Sequence, residues 1–93
     1  MEEIAEARVV VSGRVQGVWF RGFTQRVATD AGVRGWVRNL PDRRVEAVLQ
    51  GDRASVEKVV GFLREGPPGA SVTGITVSWD SPSEVYRGFH IRY

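Results

Sequence analysis

The residues best placed to do chemistry in this chain are Arg21 and the backbone just ahead of it. The stretch GRVQGVWFRG, from Gly13 to Gly22, sets two glycines and a run of bulky apolar residues between a strand-like segment and a helix-like one. A helix start exposes unpaired backbone N–H groups and the positive end of the helix dipole. Successive amides in a tight loop can add a concave nest for an anion. Gly13 and Gly17 permit backbone conformations that other residues resist. Arg21 brings a planar cation suited to bidentate binding of phosphate or carboxylate. Together these features describe a cradle for a small anion. Two nucleotide motifs are excluded. The phosphate loop of nucleotide-binding proteins needs Gly at position 18 and Lys at 19, where this chain has Val18 and Trp19. The dinucleotide fingerprint fails because Val15 stands two residues after Gly13. A plain structural reading also stays open, with the glycines serving a turn and Val18, Trp19 and Phe20 serving the core or its rim.

The elements that would hold this loop can be read from periodicity. ARVVVSG, Ala7 to Gly13, is apolar, rich in valine and closed by glycine, which predicts a strand. Between Arg21 and Ala31, Phe23, Val27, Ala28 and Ala31 recur at helical spacing, and Gly32 supplies a stop. Val33 to Leu40 reads as a second strand, ended by Pro41. Arg43 to Gly51 reads as a third, with Val45, Ala47 and Leu49 on one face. The short stretch between them leaves room only for a tight turn, so the two should form a hairpin. Asp52 can cap a second helix whose Val56, Val59, Val60 and Leu63 make an apolar stripe. EGPPGAS, Glu65 to Ser71, breaks that helix. Val72 to Trp79 is a fourth strand, Asp80 to Tyr86 a loop, and Gly88 to Tyr93 a closing strand. The order β-α-β-β-α-β, with a short extra strand, predicts an α+β fold: a ferredoxin-like α/β sandwich, one antiparallel sheet with two helices on one face. Residues 1–93 are expected to make a single domain.

Composition narrows the function classes. Hydrophobic residues are 42% and charged residues 26% of the 93, ordinary values for a globular chain. No segment approaches the roughly 20 apolar residues of a membrane helix. The amino-terminal MEEIAEARVV carries three glutamates where a signal peptide would be positive, so a cytoplasmic location is expected, with no membrane partner. A formal net charge of +2 is too small to suggest a nucleic-acid partner. There is no cysteine, and His90 is the only histidine, so no metal site is expected.

GRVQGVWFRGFTQ, Gly13 to Gln25, followed by GWVRNLPDRRVEAVLQG, Gly35 to Gly51, closely resembles the acylphosphatase family, and GFHIRY resembles that family's ending. The resemblance covers nearly the whole chain. It implies hydrolysis of a carboxylic–phosphoric anhydride on a ferredoxin-like fold, without metal or cofactor. It implies further that Arg21 binds phosphate and that Asn39 positions the attacking water. The main-chain amides of Val15, Gln16, Gly17, Val18, Trp19 and Phe20 would form the phosphate loop. One departure stands out: where the family commonly has Asp-Gly in the hairpin, this chain has Asp42-Arg43, which bears on the turn geometry.

The residues suit that chemistry. An acyl phosphate is already activated and its carboxylate leaving group is a weak base, so no strong general acid is needed. The work left is to hold the phosphoryl group, neutralise its charge and aim a water in line. Asn39 shares the parity of Val37 and so its face of the sheet. Its carboxamide can accept and donate, but it is no base near neutral pH. Direct water attack on phosphorus, with no covalent enzyme intermediate, is therefore expected. The partners expected are small acyl phosphates and phosphate, with the protein acting as a monomer. Trp19 and Phe20 are expected to pack, Thr24 to support the site by a hydrogen bond, and Asp42 and Glu46 to be solvated. Arg14 could raise the local potential or be solvated, and Trp36 and Trp79 are assigned to packing or sheet cover. Three rivals have different signatures. An RNA-recognition domain would need aromatics on the third strand, which has none. A carbamoyl phosphate domain of hydrogenase-maturation carbamoyltransferases would belong to a much longer chain. An anion-binding protein would keep the cradle without turnover.

Overall fold

The structure is a computed structural model and describes residues 4–82 and 84–93. The first three residues, with two of the amino-terminal glutamates, and Ser83 of the expected Asp80–Tyr86 loop lie outside the described residues. The elements are β1 (Ala5–Arg14), α1 (Phe20–Asp30), β2 (Arg34–Asn39), β3 (Val45–Gly51), α2 (Arg53–Glu65), β4 (Ser71–Asp80) and β5 (Phe89–Arg92). Each matches an expected segment to within a few residues. Local chemistry explains the boundaries. The Asp52 carboxylate accepts the Ser55 amide at 3.0 Å, capping α2, and Gly66 closes the helix at a positive φ of 73°, as side-chain caps and glycine stops do. Past α1, Gly32 takes φ 71° and the Val33 amide donates back to the Ala28 carbonyl at 2.8 Å, a glycine-based closure of the helix end.

The strands form one sheet in the order β4-β1-β3-β2-β5. Neighbours among the first four pair antiparallel, as expected, but β5 lies parallel to β2 at the far edge. The sheet is thus mixed and not wholly antiparallel. The reason is geometric. The connection after β4 stays at one end of the sheet, so β5 must run opposite to β4, and at the far edge that is the direction of β2. Gln50 steadies this crossing. Its side-chain amide donates to the Glu84 carbonyl at 2.7 Å and to the Glu6 carboxylate at 3.1 Å, while its carbonyl accepts the Tyr86 amide at 3.0 Å.

Both helices cover the same face of the sheet. Ala7, Val9, Val11, Val37, Val45, Ala47 and Leu49 from the strands join Phe20, Ala28, Val56, Val59 and Leu63 from the helices in one core. Each fully buried valine, leucine or phenylalanine of this set contributes about 1.5–3 kcal/mol. The stripe of α2 falls on its buried side as the spacing predicts. The central strand β3 departs from expectation, because all seven of its residues are buried, on both faces. Glu46, which its place in a hairpin predicts to be solvated, is only 3% exposed. Arg8 of β1 and Arg38 of β2 close over its carboxylate from either side, Arg38 Nε at 2.7 Å. Trp36 covers the same helix-free face, overlaid by the Arg38 and Arg92 guanidiniums at 5.3 and 4.4 Å from its ring, within the range of a cation–π contact. Arg53 covers Trp79 in the same way at 3.7 Å.

Candidate active site

The loop between β1 and α1 is anchored at both ends by apolar side chains. Val15 is 1% exposed and Phe20 2%, and Val18 packs against the core between them. With those residues pointing inward, the intervening backbone is held at the surface. Gly17 and Trp19 take positive φ of 74° and 64° on either side of Val18, an alternation of hand that turns successive amides to one side. No side chain caps α1, and its first turn has no acidic residue. The first N–H groups and the positive end of the dipole are left for another acceptor.

Arg21 and Asn39, 18 residues apart in sequence, line one cleft of about 270 Å³ beside this loop. Val15, Gly17, Trp19 and Phe20 from the loop, and Ile91 and Tyr93 from the carboxy-terminal end, share its lining. Arg21 is half-buried. One of its guanidinium nitrogens donates to the Arg92 carbonyl at 3.4 Å, and the Tyr93 ring lies 4.6 Å away. Among the described residues no carboxylate pairs with it. Its charge is held by a carbonyl and an aromatic face, neither of which cancels it, so it is available to an anion. No three His, Asp or Glu side chains among the described residues come together to hold a metal ion.

Gln16 and Val18 are in the loop, but neither side chain lines the cleft. Gln16 instead reaches across to the β2–β3 turn, where its amide donates to the carbonyls of Leu40 and Arg44, each at 2.9 Å. The turn that follows Asn39 is thereby fastened to the loop that precedes Arg21. The turn itself closes through the Leu40 amide on the Arg44 carbonyl at 2.8 Å. Arg43 sits at φ 76°, so the Asp-Arg sequence keeps the left-handed residue that Asp-Gly would supply without strain. The Arg44 amide and then its guanidinium hold the Asp42 carboxyl below its ordinary value. Asp42 is exposed, as expected.

Phe20 packs as expected; Trp19 does not, being 60% exposed at the mouth of the cleft. Thr24 is buried and its hydroxyl donates to the Phe20 carbonyl at 2.8 Å, so it steadies the loop's last residue without facing the cleft. Arg14 lies outside the cleft, in a separate depression with Gln16 and Arg43. Sequence reasoning missed the contribution of β5. Ile91, the Arg92 carbonyl and Tyr93 all reach the site, and Gln25 ties α1 to that strand through the Phe89 carbonyl at 3.0 Å. Only the carboxy-terminal GFHIRY pattern hinted at it, and nothing local places that segment beside Arg21.

The chain as a whole has counterparts among known proteins. The acylphosphatase family model matches residues 7–91, which include the loop, Arg21, Asn39 and Ile91. An acylphosphatase of Roseiflexus sp. is 48% identical over 91 residues, covering 98% of each chain. The crystal structure of acylphosphatase from Bacillus subtilis superposes with a TM-score of 0.93 at 37% identity, covering 96% of this chain and 99% of that one. T. kodakarensis HypF contains a similar unit, with a TM-score of 0.84 at 31% identity, but the match spans only 12% of that longer chain. With a family match across almost every element and a relative aligned over nearly its whole length, the chain belongs to the acylphosphatase family.

Proposed function

We propose that the protein hydrolyses small acyl phosphates to a carboxylate and inorganic phosphate, using Arg21, Asn39 and the backbone of Val15 to Phe20 and no cofactor. The observation that carries this reading is the Arg21 guanidinium, which no carboxylate among the described residues pairs and which shares one cleft with Asn39 and a helix start without a side-chain cap. The phosphoryl group is drawn to the loop amides and Arg21, where the helix end contributes about half a positive charge. Charge that builds on the equatorial oxygens in the transition state meets donors already in position, which removes the cost of reorganising water. Asn39 orients a water toward phosphorus, accepting from it through the carboxamide oxygen. The P–O bond to the carboxylate breaks as the new P–O bond forms. The water's proton leaves through the phosphate or bulk solvent, and no side chain is acylated or phosphorylated. The protein acts as a single domain and as a monomer.

The test is benzoyl phosphate hydrolysis by the EDTA-treated protein. Turnover should persist without metal and fall by ~100-fold or more in Arg21→Ala and in Asn39→Ala, each loss amounting to about 2.7 kcal/mol of transition-state stabilisation. In labelled water the heavy oxygen should appear in phosphate. Its appearance in the carboxylate would refute attack at phosphorus, and full activity in either variant would remove that residue from the mechanism.

A further inference from the structure

Beyond Val11 and Val45, the last residues that pair β1 with β3, the end of β1 and the β2–β3 turn separate. A depression of about 280 Å³ lies there, lined by Gly13, Arg14, Val15, Gln16 and Arg43. Its two cations come from different elements, Arg14 from the end of β1 and Arg43 from the turn. An irregular backbone delivers each of them. The register of β1 against β4 shifts between Ser12 and Gly13, just ahead of Arg14, and such bulges re-aim the side chains near them. Gly13 takes φ 120°, and the Ser71 carbonyl fills the space that a Cβ would need. Arg43 holds φ 76°, a left-handed conformation that strains an arginine and not a glycine. Strain retained at an exposed cation adds nothing to the core, and such strain concentrates where ligands bind.

The depression gathers positive charge without compensating it. Arg14 and Arg43 are exposed, and among the described residues no carboxylate pairs with either. Asp42, next in sequence to Arg43, is held by Arg44. Gln16 donates its amide to the Leu40 and Arg44 carbonyls, and a neutral side chain cancels no charge. Two like charges at one depression repel, and an anion seated between them replaces that repulsion with two attractions. Each guanidinium presents forked N–H donors that match the oxygens of a phosphate. At roughly 30 Å³ for each water-sized unit, a phosphate ion fills about 150 Å³ and fits with room for water.

We propose that Arg14 and Arg43 form a second anion site, for inorganic phosphate or a like tetrahedral oxyanion, separate from the cleft of Arg21. Val15 lines both the cleft and the depression, so the two sites share one loop. An anion in the depression ties the end of β1 to the β2–β3 turn, the same segments that Gln16 joins. It therefore reinforces the link between the loop ahead of Arg21 and the turn after Asn39. Binding there needs no turnover in the cleft, so the site stands whether or not the protein hydrolyses acyl phosphates.

The test is a titration of the isotope-labelled full chain with sodium phosphate at constant ionic strength, followed by amide NMR. Two groups of resonances should move with separate dissociation constants: Gly17, Phe20 and Gly22 for the cleft, and Gly13, Gln16 and the residues at 14 and 43 for the depression. Arg14→Ala and Arg43→Gly should each weaken the second group's affinity by about fivefold, or about 1 kcal/mol, the upper range for an exposed ion pair. The first group should keep its affinity in both. Arg43→Gly also relieves backbone strain, so weaker binding in that variant is not a folding defect. Arg21→Ala should do the reverse, and in that background phosphate should still raise the Tm, by an increment that adding Arg14→Ala removes. No movement of the second group, or the same affinity in both depression variants as in the wild type, would overturn the proposal. Its loss in Arg21→Ala would do so too, because it would mark a single site. Benzoyl phosphate turnover by the wild type, measured separately, decides the acylphosphatase reading whichever way phosphate binds.

Discussion

Replacing Gln16 by Ala cuts the link between the β1–α1 loop and the turn that follows Asn39. Two hydrogen bonds are lost, to the Leu40 and Arg44 carbonyls. A neutral hydrogen bond contributes about 0.5–1.5 kcal/mol net, with a larger cost when a buried partner is orphaned. Here neither carbonyl is orphaned. Leu40 O still accepts the Arg43 amide at 3.2 Å, and Arg44 O still accepts the Leu40 amide at 2.8 Å. The loss should therefore stay near the lower end, about 1–2 kcal/mol in total, or a Tm lowered by roughly 5–15 °C for a domain of this size. The effect on catalysis should be unequal. Arg21 and the loop amides keep their own supports, so KM should change little. Asn39 loses its fixed relation to the bound phosphoryl group, and kcat should fall about tenfold or more, as misplacement by a fraction of an ångström can do. Thermal melts and steady-state kinetics on benzoyl phosphate measure both quantities. A variant with wild-type Tm and wild-type kcat would refute the idea that this clamp aligns the two halves of the site. A Tm loss with kcat unchanged would restrict Gln16 to a purely structural role.

Glu46 should govern part of the acid sensitivity. Burial raises the carboxyl's pKa, but hydrogen bonds from Arg38 and Arg8, with their charges, outweigh that and leave it below its ordinary 4.5. A folded value below the unfolded one means the stabilisation is present above pH 4.5 and is lost as pH falls through the lowered value. Because Arg8 and Arg38 are themselves about half exposed, Glu46→Gln should cost only about 1–2 kcal/mol at neutral pH. Urea unfolding of wild type and variant should converge on acidification, and a gap that stays constant down to about pH 3 would assign the difference to packing. At the β2–β3 turn, Arg43→Gly relieves a left-handed residue, worth roughly 1–2 kcal/mol, against about 0.4–1 kcal/mol for a more flexible unfolded chain. The Tm should rise by a few degrees with unchanged kcat, and a lower Tm would mean that the arginine side chain contributes more than its backbone costs.

The parts of this molecule that were legible in its sequence are those set by neighbours along the chain. The Val56, Val59, Val60, Leu63 stripe, the Asp52 cap and the glycine-rich approach to Arg21 each depend on residues only a few positions apart. The fate of Glu46 depends on Arg8 and Arg38, one on each adjacent strand, and strict alternation along β3 could not reveal that both of its faces are covered. The side chain of Gln16 looked like one more loop residue because its acceptors lie 24 and 28 positions away. Trp19 looked apolar and hence internal, but its positive φ turns the side chain outward, and a backbone angle of that kind leaves no mark in residue type. The parallel placement of β5 follows from where the preceding connection runs, and no periodicity encodes that.

The placement of β5 also sets an order of assembly. The carbonyl and ring that hold the Arg21 guanidinium belong to Arg92 and Tyr93, 71 and 72 positions beyond it. A ribosome makes the β1–α1 loop and Asn39 long before it makes the strand that steadies the Arg21 guanidinium. A nascent chain, or one clipped ahead of β5, can thus carry every residue assigned to the chemistry and still lack the support for its main charge. Synthesis through β5 is read at the site itself, by contacts that no shorter chain can make.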